Sequence, residues 1–491
     1  MNEKKKKSFL SHFIAIGFGT GLNLVLGLIT TPIITRIVDP EENGQFSIFQ
    51  MYSSIAVMVL CLGLDQALVR YYYEHDENDY KRALLYKCIL LPIMFSIILG
   101  FIFILGIKFG IIHFEFNLFL SLLLCFFTLI QLLYRFSLLL VRLAYQSKLF
   151  SELSILHKLV YIIVAIPLLL SHQSFYLFIL IMALMISSAV CLLISVIAQR
   201  EIWNPIGVNG SACDIAQKEL YRYGFPFILS MGITTVFQAL DKIALNHYCT
   251  YADVGVYSST ITLVNIFAIL QTTFNMLWSP MAIEHYKKNK EDRSFYQKGN
   301  QVITVVMFAA GFSLIFCKDV FAILLGEKYR AAAYILPFLI FHPIMYTISE
   351  TTVTGIAFMK KSKMQILIAA TACITNFVGN TLLVPKYGCQ GAAISTGVSY
   401  IVFFSMRTLI SNRYFYVDWK LKKFYFLTAI AVCYSFYNTF VRFNYLSIVG
   451  YALCMISMVI LYKNTIVWMA VYGYKIIKDF IQRRIKQEEK Q

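Results

Sequence analysis

Apolar residues run in long uncharged blocks, broken by short polar clusters, from residue 13 almost to the end of the chain. Blocks of that length cross the roughly 30 Å of bilayer hydrocarbon as helices. Backbone groups there are satisfied only in helices or closed barrels, and barrel strands would alternate apolar and polar residues over about ten positions. The blocks show no such alternation. They predict an all-α integral membrane protein with about 14 transmembrane helices, at residues 13–34, 46–64, 88–107, 117–141, 153–171, 176–198, 225–246, 256–279, 300–325, 333–358, 365–384, 390–406, 424–441 and 444–462.

The longest polar interruption, 199–224, carries Asn204, Pro205, Gly207, Asn209, Gly210 and Ser211 and marks a boundary between two halves. A repeat lies across it. After the first span comes Asp39-Pro40-Glu41-Glu42-Asn43-Gly44-Gln45-Phe46-Ser47; after the seventh comes Thr250-Tyr251-Ala252-Asp253-Val254-Gly255-Val256-Tyr257-Ser258. Acid, glycine, aromatic and serine recur in the same order at a helix-to-helix turn, as duplication predicts. An even number of spans before the boundary makes the repeat parallel. The expected organisation is a six-helix lobe over 1–200, a cytoplasmic linker over 201–224 and a second six-helix lobe over 225–410. Two additional transmembrane helices follow over 411–464, then a basic amphipathic tail over 465–491. The two pseudo-symmetric lobes are expected to surround a central cavity.

Composition closes off other classes. With 59% hydrophobic and 14% charged residues, the chain has too little polar surface for a water-soluble domain. Its net charge of +17 would suggest nucleic acid, but placement decides otherwise. If the Lys4–Lys7 run is cytoplasmic, most of the 43 Lys and Arg fall beside cytoplasmic loops, and Arg135 and Lys242 lie inside spans. That asymmetry is the positive-inside signal; it puts both termini in the cytoplasm and argues against nucleic acid as a partner. The first block has no small-residue cleavage site and reads as a retained span. The 11 cysteines show no CxxC and read as packing residues.

No GxxxxGK[ST], HExxH or GxSxG motif occurs, and no extracytoplasmic loop is long enough for a catalytic domain. The chain is therefore read as a non-enzyme with no cofactor and no metal site. What stands out is a sparse set of ionisable residues in or beside spans. A charge at mid-bilayer costs about 2.5–3.5 kcal/mol on insertion scales, so such residues face a polar interior or pair with one another. Arg36, Arg135, Lys242, Arg70 and Lys318 are the candidate substrate-binding cations; Asp241, Glu350 and Asp65 are the candidate ion-coupling carboxylates. Snorkelling to headgroups competes as an explanation for Arg36 and Arg70. Ile476, Ile477, Phe480, Ile481 and Ile485 recur at helical intervals in the tail, as expected of a helix lying on anionic membrane lipids.

Several segments resemble the polysaccharide transporter branch of the multidrug/oligosaccharidyl-lipid/polysaccharide exporter superfamily, which contains the O-antigen and related repeat-unit flippases. In the first half they are Thr31-Pro32-Ile33-Ile34-Thr35-Arg36, Gly63-Leu64-Asp65-Gln66-Ala67 and Val69-Arg70-Tyr71-Tyr72. In the second half they are Tyr223-Gly224-Phe225-Pro226, Ala239-Leu240-Asp241-Lys242, Trp278-Ser279-Pro280, Leu325-Gly326-Glu327-Lys328-Tyr329 and Val384-Pro385-Lys386-Tyr387-Gly388. The resemblance implies two six-helix bundles in a V that open alternately to either side of a bacterial cytoplasmic membrane. It also implies a polyprenyl-diphosphate-linked oligosaccharide as cargo, a place in lipopolysaccharide or capsule-type biosynthesis, and other polysaccharide-assembly proteins as partners. The two C-terminal helices also occur in the lipid II flippase branch, which keeps a peptidoglycan precursor as an alternative cargo. A multidrug antiporter of the same superfamily would carry an acid in its first span, and residues 13–34 contain none. A membrane-embedded glycan polymerase or ligase would need the long outer loop that is missing.

Overall fold

The computed structural model describes residues 21–488 except 24, 172, 173, 207, 209 and 362. The Lys4–Lys7 run and the start of the first span lie outside the described residues, as do the tail's side chains from Tyr472 on. Among the described residues the secondary structure is helical, with no strand.

The chain begins with α1 (Gly21–Ile37). It turns at Asp39 into α2 (Pro40–Leu60), which carries proline at its first position, where a missing N–H costs nothing. Leu62 and Gly63 both take positive φ, and the resulting 55° bend separates α2 from α3 (Leu64–Tyr71). Then come α4 (Asn78–Lys108), α5 (Leu118–Leu143), α6 (Ser147–Ser171), α7 (Tyr176–Ala198) and the single turn α8 (Arg200–Trp203). The second half opens with α9 (Gln217–Tyr248) and α10 (Tyr251–Val264), the latter started by a reciprocal capping box between Thr250 and Asp253. It continues through α11 (Phe267–Lys288), α12 (Ser294–Phe316), α13 (Lys318–Leu325), α14 (Ala332–Leu339), α15 (Phe341–Thr352) and α16 (Thr354–Phe358). The last elements are α17 (Lys363–Asn412), α18 (Leu421–Phe440) and α19 (Tyr445–Glu488).

Nine helical stretches, with α14 and α15 together counted as one, are long and apolar enough to span a membrane, or up to 11 when each of two bent pairs counts as one span, among the described residues. Three features separate these counts from the expected fourteen. The first span is described only from Gly21. The expected spans 365–384 and 390–406 form the single α17, which breaks at Gly388 where φ is 54°. And α18 mixes Tyr425, Tyr434, Tyr437 and Asn438 into its apolar run.

By packing, the chain divides into two units. One holds the described residues as far as Ile269, with Leu325–Tyr329 and Asn376–Ala392; the other holds Leu270–Leu324, Arg330–Thr375 and the described residues from Ala393 on. In the first unit α2 packs on α10, α5 and α9, α5 on α4 and α7, and α6 on α7. The segment after α7 is strapped onto α4. Arg82 donates to the Glu201 carbonyl at 3.0 Å, Tyr86 to that of Trp203 at 2.7 Å, and Lys87 to those of Cys213 and Ile215 at 2.7 and 3.0 Å.

The two repeat segments meet each other in this unit. An added Cβ at Gly44 would fall on the Tyr251 carbonyl, and one at Gly255 on the Pro40 carbonyl. Each glycine thus packs on the residue four positions before the other, and the α2–α10 crossing is reciprocal. Asn43 reinforces it by donating to the Ser259 hydroxyl at 2.9 Å.

In the second unit α12 packs on α15 and α19, and α14 and α19 pack on α18. Lys318 is fully buried, and its ammonium donates to the carbonyls of Asn438 at 2.5 Å and Val441 at 2.8 Å. These belong to the last turn and the C-cap of α18, where backbone carbonyls have no intrahelical donor and cations are favoured. Lys318→Met is expected to destabilise the protein by about 1–3 kcal/mol, read as a lowered Tm in detergent; an unchanged Tm would show that the last turn of α18 finds other donors.

Candidate functional site

A polar cavity of about 650 Å³ in the first unit is built mainly from three helices, α5, α9 and α2, with Leu184 of α7. From α5 come Phe127, Gln131, Tyr134, Arg135 and Leu138, and from α9 Met231, Thr235, Gln238, Ala239 and Lys242. Both sets recur at three- and four-residue intervals, as one side of a helix must. The third face, from α2, includes Gln50, Ser53, Ser54 and Met58.

Arg135 is anchored there by Asp65. Its Nε and Nη2 donate to Asp65 Oδ2 at 3.0 and 2.6 Å, and the Asp65 side chain is only 4% exposed. The bend at Leu62–Gly63 sets this up, because it starts α3 beside α5 with Asp65 in its first turn. Gln66 completes the carboxylate's shell through its backbone N–H at 3.0 Å and its amide at 3.1 Å. Arg135 remains 35% exposed in the cavity. Lys242 lines the same cavity and has no hydrogen-bond or ion-pair partner among the described residues. The neighbouring Asp241 projects about 100° away around the helix and is buried, accepting from Tyr257 Oη at 2.6 Å, Asn376 Nδ2 at 3.0 Å and Asn380 Nδ2 at 2.9 Å.

A second cavity of about 360 Å³ shares Gln50 and Leu184 with the first. It is lined by α1, α2, α6 and α10 and by Leu184 of α7, with hydroxyls from Thr31, Ser47, Ser258 and Thr262 and, among the described residues, a single cation, Lys158. His157 also lines it, contacts the Ser188 hydroxyl at 3.1 Å and stacks on Tyr134 of the larger cavity.

The other expected residues lie elsewhere. Arg36 is exposed at the end of α1, its Cγ close under Gly326. Arg70 is exposed and pairs with Glu74 at 3.1 Å. Lys318 is engaged by α18. None of these three lines either cavity. Glu350, in the second unit, is 2.8 Å from Arg407, which also donates to the Ser349 hydroxyl at 2.7 Å. Beyond the end of α1, Lys328 pairs with Asp39, and that bond holds its ammonium above the ordinary lysine range.

A family model described as "Polysaccharide biosynthesis protein" matches residues 9–283, more than half of the chain. The chain belongs to this family. Among relatives, an uncharacterized membrane protein of Methanocaldococcus jannaschii is 21% identical over 200 residues, 40% of this chain and 39% of that protein. The match therefore spans well under two thirds of the relative's length. Among solved structures, the lipid II flippase MurJ in an inward closed conformation superposes with a TM-score of 0.68 at 14% identity, covering 94% of this chain and 100% of that one. An inward-facing multidrug resistance MATE family transporter of the MOP superfamily gives a TM-score of 0.60 at 12% identity over 79% of this chain and 94% of that one. These likenesses establish a shared fold, and with the apolar helices they place this member of the polysaccharide biosynthesis family among multi-pass membrane proteins.

Two cations of this family member escape a reading by sequence. Lys158 falls near the start of a span drawn from residue 153, but α6 begins at Ser147 and carries it to mid-helix. Arg407 falls just past a span drawn to residue 406, but α17 continues to Asn412 and buries it against α15. The available signal was a lone charge within a few residues of a long uncharged run.

Proposed function

We propose that this protein is a flippase that carries a polyprenyl-diphosphate-linked oligosaccharide repeat unit from the cytoplasmic to the outer leaflet of a bacterial cytoplasmic membrane, for O-antigen or capsule-type polysaccharide. The observation that carries the reading is Arg135 and Lys242 lining one cavity of about 650 Å³ whose other polar groups are neutral amides and hydroxyls. Two cations in a low-dielectric enclosure attract a diphosphate strongly. Gln50, Gln131 and Gln238 offer donors and acceptors to sugar hydroxyls, and the prenyl chain stays in lipid. In this reading the two six-helix lobes, 1–200 and 225–410, open alternately, both termini are cytoplasmic, and no bond of the cargo is made or broken. Moving a charge of about −2 outward across 100 mV, inside negative, is favourable by about 4.6 kcal/mol. Asp241, Glu350 and Asp65 are the proposed coupling carboxylates where an ion is exchanged, and Arg36, Arg70 and Lys318 would act on the head group only after a rearrangement that exposes them to it.

A peptidoglycan-precursor lipid is the second reading, favoured by the full-length fold match to MurJ. It differs in head group and not in mechanism. The test is translocation in proteoliposomes of a fluorescent undecaprenyl-diphosphate oligosaccharide, lipid II and an organic cation. Transport of the first is expected; movement of lipid II alone selects the second reading, and movement of the cation alone overturns both.

A further inference from the structure

Among the described residues, Lys158 is a cation without an anion. It stands eleven residues into α6, about 16 Å along the helix axis, close to the middle of that 25-residue apolar helix. A charge inside a membrane-spanning segment is retained where it meets a functional partner. Among the described residues no carboxylate lines the cavity of about 360 Å³ that Lys158 enters, and no ion pair involves it. Its ammonium lies over the Tyr161 ring, 5.3 Å from Nζ to the centroid. The rest of the wall combines the hydroxyls of Thr31, Ser47, Ser258 and Thr262 and the Gln50 amide with the His157 imidazole and the apolar Ile34, Phe46 and Leu184. This is the lining a sugar needs, with one added positive charge.

The two cavities differ in the same sense. The larger holds two cations suited to a diphosphate, and the smaller adjoins it through Gln50 and Leu184. A head group whose diphosphate sits between Arg135 and Lys242 would extend its sugars past Gln50 into the hydroxyl-lined chamber. We propose that this chamber is a glycan subsite and that Lys158 selects cargo whose glycan carries a carboxylate, as on a uronic acid. The inference rests on the flippase reading and adds an acidic sugar to the cargo. Selection comes from charge: a carboxylate meets the ammonium in a charge-assisted hydrogen bond, whereas a neutral sugar leaves the ammonium desolvated and unpaired.

The test uses the full-length protein in proteoliposomes and two undecaprenyl-diphosphate disaccharides that differ only at C6 of the terminal residue, glucose in one and glucuronic acid in the other. Each protein supplies its own reference, the ratio of the two flipping rates, so a general loss of folding does not mimic the result. Wild type is expected to favour the glucuronyl lipid by roughly tenfold. Lys158→Gln is expected to bring the ratio near one, and Lys158→Arg to restore it. A wild-type ratio near one overturns the inference and leaves the flippase reading intact. A preference that survives Lys158→Gln overturns it too, because the acid is then read elsewhere. So does an equal loss of both rates with the ratio kept, which would assign Lys158 to the diphosphate. Failure of wild type to move either lipid removes the repeat-unit flippase reading and this inference with it.

Discussion

Arg135→Ala is expected to stop translocation of a polyprenyl-diphosphate oligosaccharide and to destabilise the protein by about 3–5 kcal/mol. The two effects have different causes. Stability falls because Asp65, almost wholly buried, loses the guanidinium 2.6 Å away and keeps its charge without a counterion. Transport falls because the cavity keeps only Lys242 against a dianionic head group. An Arg135→Ala/Asp65→Ala double variant separates them: removing both partners restores most of the stability, read as Tm in detergent, while flipping stays lost. Full transport by that double variant would reduce the pair to a structural salt bridge. Arg135→Lys keeps the charge but cannot reproduce two donors on one carboxylate oxygen, so intermediate values are expected for both readouts.

Gly44→Val and Gly255→Val are expected to be the next most damaging changes, each costing about 1–3 kcal/mol from overpacking. At either position even the first side-chain carbon lands on a carbonyl of the opposite helix, and backbone cannot step aside as a flexible side chain does. Because the crossing is reciprocal, the two substitutions act on one contact. The double variant is therefore expected to cost clearly less than the sum of the singles. Denaturation of purified single and double variants measures this, and additivity would mean that the two glycines act independently. Where the protein still folds, transport should fall in step with the loss of the crossing.

Much of the fold was legible because it rests on hydropathy, which is local. The helix α5 shows as a long apolar run between Asn117 and Leu143, and the repeat at Gly44 and Gly255 shows as matched turns. Arg135 and Lys242 stood out as charges deep in such runs, and each lies in the polar cavity. What could not be read was pairing. Asp65 and Arg135 are 70 positions apart and meet because of a bend created by two positive-φ residues, of which only Gly63 announces itself. Asp241 and Lys242 are neighbours in sequence that serve different surroundings, and only the packing of α10 and α17 against α9 decides which faces the cavity. Lys318 looked like Arg135 in sequence, but its surroundings are two carbonyls and the Tyr334 ring rather than an open space.

The burial of Lys318 also bears on how such a chain could change over generations. Once a lysine of α13 caps α18, the two C-terminal helices stop being a detachable accessory: deleting them would strand an ammonium designed for carbonyls that no longer exist. The reverse order is easier, since a prior exchange of Lys318 for a neutral residue would loosen the dependence before any helix was lost. A lineage that acquired this lysine would thus be committed to its longer form, and a shortened descendant should be found only where position 318 had changed first.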